Sequence, residues 1–218
     1  MGQNYASFHI ITENTKETLK QVEQYFSNNT SSNGENKCLE NLSEIFDGSV
    51  NDKLNYLSYM LNLIEYSCKL ILINNNFISI YDEAFTLKNI ETEGINLSKY
   101  IEKPIIGTGN FDDEVLSIIL FQKGEIITKY ITGEGLEKYQ LKQSFMDLES
   151  FKKVTNLSVE KLDELLKEKD IYDIEDGFSE LYNLALDLTY DDLAPFENKY
   201  KKLKETNSYS VFELLVTL

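Results

Sequence analysis

The residues best suited to chemistry are carboxylates beside apolar runs. Tyr81-Asp82-Glu83 closes the run Phe77-Ile78-Ser79-Ile80, and Asp112-Asp113-Glu114 opens the run from Val115 to Phe121. Gathered at one sheet edge, these carboxylates could hold Mg²⁺ or Ca²⁺, because hard cations take several oxygen ligands at once. Two of them could instead work as acid and base. Asp and Glu at strand ends also solvate turns and cap helices, which would leave no site at all. No phosphate-cradling glycine loop stands nearby. Gly107-Thr108-Gly109 and Gly133-Glu134-Gly135 lack the spacing of a dinucleotide fingerprint and read as turns.

A third acidic group is longer. From Asp170 to Asn198 there are nine acidic residues and no lysine, among them Asp173, Glu175, Asp176, Asp191 and Asp192. A solvated helix face normally mixes both signs, so a stretch of one sign fits a docking face for a basic partner. An EF-hand is excluded: with Gly177 as the loop glycine, the first and third ligand positions fall on Tyr172 and Ile174. His9 is the only histidine and lies in an apolar run, which marks it as a structural core or edge residue. One histidine supplies neither a triad with a partner base nor a multi-histidine metal site. Cys38 and Cys68 show no metal-ligand or redox spacing and read as reduced core residues.

Charge narrows the partners. The 218 residues carry 37 acidic and 21 basic side chains, a net charge of −16, and every basic residue is lysine. The planar two-pronged donor that arginine offers to phosphate and carboxylate is therefore missing. A chain this negative repels nucleic-acid backbones and anionic membranes, so neither is expected as a partner. A basic protein is. No apolar run reaches the roughly 18–20 residues that span a bilayer. The start, Met1 to Phe8, lacks the basic-then-apolar order of a secretory signal. We expect a cytoplasmic protein with no cofactor.

The elements that would position these residues follow from periodicity. Residues 5–12 are rich in strand formers, and Asn14 or Thr15 can cap a helix carrying Leu19, Val22, Tyr25 and Phe26 on one face. Residues 37–66 carry helical stripes. Leu70 to Ile73 and Phe77 to Tyr81 flank three asparagines and read as a hairpin. A helix over about 87–103 is weakened by Gly94 and ended by Pro104. Short strands at 104–107, 115–121 and 125–131 follow, with 115–121 expected to be central. Beyond residue 145 the pattern is helical, with Ser158 capping one helix and Phe178 to Leu188 forming another. Val211 to Val216 reads as a last strand or helix turn. The whole predicts an α+β fold: a mostly antiparallel sheet of two β-α-β-β units with helices on one face. Residues 1–140 would form this sheet domain, with a helical insert at about 35–67. Residues 141–218 would form a mainly helical region packed on it.

Phe77-Ile78-Ser79-Ile80-Tyr81-Asp82-Glu83, the later Leu97-Ser98 and Pro104, and the Asp-Asp-led run from Asp112 to Leu116 form a series. Over roughly residues 5–140 the chain resembles a family of uncharacterised bacterial proteins. In that family a strand ending in Tyr-Asp-Glu leads through a helix and a Pro-led strand to an Asp-Asp-led strand. The resemblance brings no activity, and it implies the strand order and the interest of Tyr81, Asp82, Glu83, Asp112 and Asp113. Together these features lead us to expect a non-catalytic binding protein, of inhibitor or immunity type, for a basic protein. A carboxylate-based, divalent-metal-dependent enzyme is the alternative.

Overall fold

Both faces of the first strand are buried, and this sets the architecture. In β1 (Asn4–Ile11), Ala6, Phe8 and Ile10 point to one side of the sheet and Tyr5, Ser7 and His9 to the other, all of them buried. A computed structural model describes residues 4–30, 66–74, 76–82, 84–186 and 210–217. The strands β2 (Tyr66–Asn74), β3 (Phe77–Tyr81), β4 (Ile105–Phe111), β5 (Val115–Gln122), β6 (Glu125–Thr132) and β7 (Ser210–Thr217) join β1 in one seven-stranded sheet, ordered β6-β5-β4-β1-β3-β2-β7. Every pairing is antiparallel, so the chain is of the α+β class. As expected, β5 is an interior strand, paired with β4 and β6, and β1 stands at the middle of the sheet. It joins the β2–β3 hairpin on one side, with His9 opposite Ser79, to β4 on the other, with Ser7 opposite Thr108. The C-terminal residues form a strand, and β7 closes the edge beside β2.

One face carries α1 (Thr15–Thr30) and α2 (Ile90–Ile101). Asn14 starts α1: its side chain accepts from the Glu17 amide at 3.3 Å and donates to the Glu17 carboxylate at 2.7 Å, so two groups at the helix start are satisfied reciprocally. Val22, Tyr25 and Phe26 of α1 and Ile90, Leu97 and Ile101 of α2 pack with Phe8, Ile10, Ile119 and Phe121 of the sheet. Gly94 lies in the middle of α2 and is buried. A β-carbon there would stand 2.4 Å from the Phe121 ring, and one at Gly107 would stand 2.9 Å from the same ring. The expected turn at Gly107-Thr108-Gly109 is therefore mid-strand β4, with Gly107 giving Phe121 its seat. Gly94→Ala improves helix propensity by about 1 kcal/mol but drives a methyl into that ring. We expect a net loss of about 1–2 kcal/mol in denaturant titration, the sign of overpacking; a gain would show that the ring moves aside freely.

Helices also cover the opposite face, contrary to the expectation of one covered face. They are α3 (Leu148–Thr155), α4 (Glu160–Leu165) and α5 (Ile171–Tyr182). Phe151, Leu162, Ile171, Ile174 and Phe178 from them pack with Ile106, Leu116, Ile118 and Leu120 of the sheet. The Asp147 carboxylate caps α3 by accepting from the amides of Glu149 and Ser150. Ser158 does not cap α4 as expected. Val159 holds that place, and the Ser158 hydroxyl donates to the Glu160 carboxylate instead. The helix expected over 178–188 starts earlier, at the Asp170 cap, and ends at Tyr182. Asn183 takes the left-handed conformation (φ 52°), which asparagine tolerates better than most residues, and ends the helix. Leu184 to Leu186 then cross the sheet as an irregular strap. The helical segment expected over 37–66 lies outside the described residues except for its end, where Tyr66 already opens β2, and Cys38, Glu83, Asp191 and Asp192 lie outside them too.

Candidate functional site

Under the strap, the sheet carries a row of polar side chains instead of an apolar surface. Tyr5, Ser7 and His9 of β1, Ser79 and Tyr81 of β3, and Thr108 and Asn110 of β4 share this face through their registers. They bond across strands. The Ser7 and Thr108 hydroxyls lie 2.9 Å apart, and His9 Nε2 stands 3.1 Å from each. His9 Nδ1 stands 2.8 Å from the Ser79 hydroxyl. The row also holds the strap. Tyr81 donates to the Ala185 carbonyl, Ser7 to that of Leu186 at 3.4 Å, and Asn74 to that of Asn183 at 2.5 Å.

The His9–Ser79 pair has the spacing of a general base and a nucleophile, but it is not placed to use it. His9 is fully buried and Ser79 is 3% exposed, and the second ring nitrogen meets two hydroxyls rather than an orienting carboxylate. Burial pushes the imidazole down to about pKa 3, because desolvation disfavours the charged ring. The single histidine is thus buried in the sheet, as its place in an apolar run implied, but among hydroxyls.

Glu175 joins this row from above. It is 6% exposed, accepting from the Tyr5 hydroxyl at 2.5 Å and from Asn110 Nδ2 at 2.7 Å. It is therefore no part of an outward docking face, although the sequence placed it there with Asp173 and Asp176. Those two are exposed, and so is Glu180. At positions i, i+3 and i+7 the three share the outer face of α5. Among the described residues, no lysine pairs with any of them.

The described strand-end carboxylates lie at the ends of different strands. Tyr81 is buried, edge-on to His9 at 6.2 Å, and Asp82 accepts from the Ala84 amide at 2.9 Å within the turn that follows. Asp112 and Asp113 sit beyond the end of β4, both with positive φ (56° and 58°). Because β1 lies between β3 and β4, Asp82 and Asp112 are separated by two inter-strand steps, about 10 Å before any offset along the strands. Among the described residues, no group of three histidine, cysteine, aspartate or glutamate side chains could hold a metal. Asp112 is instead tied into the turn after β6. It accepts from the Tyr139 hydroxyl, and this bond, with Lys138 nearby at 3.6 Å, holds its carboxyl below the usual range. Lys138 also pairs with Glu114 at 2.9 Å. Gly133 to Gly135 form the expected turn here, with the Gly135 amide donating to the Glu114 carbonyl at 3.0 Å.

Asp113 faces elsewhere, into an open cleft of about 960 Å³ between the end of β6, the link into α3 and the start of α5. Tyr130 forms part of the wall, its hydroxyl donating to the Leu166 carbonyl at 3.1 Å. Burial pushes this phenol above its usual range. Tyr172 lines the cleft too. Its own phenol is raised first by desolvation and then by its hydrogen bond to Asp113.

No family model, curated protein or solved structure matches this chain, so function rests on geometry. Phe145 was missed in the sequence, although it is the only aromatic between Tyr139 and Phe151. Tyr172 was missed as well, and it falls off the apolar stripe of α5.

Proposed function

We propose that this chain is a non-catalytic, cytoplasmic, acidic binding protein, of inhibitor or immunity type, whose target is a basic protein. The carrying observation is the outer face of α5, where Asp173, Asp176 and Glu180 stand in line, exposed and unmatched by lysine among the described residues. With a net charge of −16, such a face attracts a positive surface at long range and repels nucleic acid and anionic lipid. The sealed state of His9 and Ser79 fits a binding role better than a catalytic one. Helices long and apolar enough to cross a membrane are absent among the described residues.

The test starts with retention of native-cell proteins on the immobilised chain at low and high salt. The retained protein is then titrated against wild type and the triple variant Asp173→Asn/Asp176→Asn/Glu180→Gln. We expect a basic protein that binds at low salt, is released as screening rises, and binds the variant about tenfold more weakly or worse. Retention of nothing basic, or equal affinity for the variant, would refute the reading.

A further inference from the structure

We infer that the cleft beside the start of α5 is the docking pocket for a basic segment of the partner that carries an aromatic or large aliphatic anchor. This rests on the reading that the partner is basic, and adds where and how it is held. Three large hydrophobic side chains are exposed among the described residues: Tyr100, Phe145 and Tyr172. Two of the three, Phe145 at 76% and Tyr172 at 44% exposure, border this one cleft. Aromatic side chains left in water at a concave site are the usual anchors of protein interfaces, since burying them contributes most of the binding energy.

The rim supplies the charge. Asp113, Glu114, Glu134, Asp163, Glu168 and Asp170 line the cleft against two lysines, Lys167 and Lys169. Lys167 is already bound to Asp163 at 2.5 Å, and Glu114 is neutralised by Lys138. Glu134 and Glu168 make no ion pair among the described residues. The excess of carboxylate around two exposed rings matches a segment with lysine or arginine on both sides of an apolar residue. The cleft borders Tyr172, and the Asp173-Asp176-Glu180 face begins at the next residue. One partner can therefore cover both.

The experiment is a ¹H–¹⁵N NMR titration at low salt with the peptide Lys-Lys-Phe-Lys-Lys, compared with Gly-Gly-Phe-Gly-Gly and Glu-Glu-Phe-Glu-Glu. We expect saturable shifts centred on Glu134, Phe145 and Tyr172 with the lysine peptide only. Phe145→Ala should weaken them about tenfold, and Glu134→Gln/Glu168→Gln should weaken them and flatten their salt dependence. Neither change touches the core, so wild-type spectra elsewhere report an intact fold. Shifts confined to the α5 face and indifferent to Phe145→Ala would overturn the cleft and leave the basic-partner reading standing. Equal shifts with the glycine peptide would overturn the basic flanks. No shift with any peptide would overturn the cleft too, and retention of a basic protein would then decide the wider reading by itself.

Discussion

Acidification from about pH 6.5 is expected to cost the protein about 1.4 kcal/mol of stability per pH unit, through His9 alone. The folded ring has its pKa pushed down to about 3 from an ordinary 6.5, by desolvation. Above pH 6.5 both folded and unfolded states carry it neutral, and it contributes no pH dependence. Below 6.5 the unfolded chain takes up the proton and the folded chain does not, so stability falls steadily until the pH nears 3. By about pH 4 the loss is about 3 kcal/mol, a large share of the ~5–15 kcal/mol that holds a typical domain. The groups facing the ring are the hydroxyls of Ser7, Ser79 and Thr108 and the Tyr81 ring. Among the described residues, no carboxylate bonds to the ring to hold its charge. Hydrogen bonds hold the carboxyls of Asp112, Asp147 and Glu160 below their usual range, so these three titrate well below the histidine of the unfolded chain. Urea titrations of wild type and His9→Gln from about pH 6.5 down to about pH 5 are the check. The variant should be about 1–2 kcal/mol weaker at neutral pH, because the hydroxyls lose an ideal partner, yet its stability should be flat. Parallel slopes would show that His9 is protonated in the folded state.

What the sequence disclosed and what it withheld divide along local and non-local physics. The β2–β3 hairpin, β6 and the stop of α2 before Pro104 were legible, because alternation, asparagine turns and proline act over a few residues. The insertion of β1 between β3 and β4 was not legible. It depends on pairings of residues about 70 to 100 apart, and it is what parts Asp82 from Asp112. Gly107 and Gly109 looked like a turn because glycine serves turns and close packing equally, and only the Phe121 ring decides between them. Glu175 could have been recognised. Ile171, Ile174, Glu175, Phe178 and Tyr182 fall at i, i+3, i+4, i+7 and i+11, so the glutamate lies on the buried stripe of α5. Phe145 and Tyr172 come to line one cleft only through tertiary folding, and no local pattern announces it.

That inward glutamate makes the second strong prediction. Glu175 is where α5 is fastened to the middle of the sheet. Tyr5 donates to one carboxylate oxygen at 2.5 Å and Asn110 to the other at 2.7 Å. Asn110 is fully buried, and its Oδ1 has no hydrogen-bond partner among the described residues, so its amide depends on the bond to Glu175. Glu175→Ala therefore leaves a phenol and an amide buried without that acceptor, which we expect to cost about 3 kcal/mol. Glu175→Gln should cost only about 1 kcal/mol: its oxygen still accepts from Asn110, and the Tyr5 hydroxyl can turn to accept from its nitrogen. Tyr5→Phe in the Glu175→Ala background should cost less than in wild type, with a coupling of about 1–2 kcal/mol. The loss should also have a place. Amide exchange should quicken first in α5 and in the strap at 184–186, whose carbonyls rest on Ser7 and Tyr81, while α1 and α2 on the far face keep their protection. If exchange quickens equally on both faces, or Glu175→Ala costs no more than Glu175→Gln, then α5 is held by Ile174 and Phe178 alone. The buried carboxylate would in that case be incidental to the fastening.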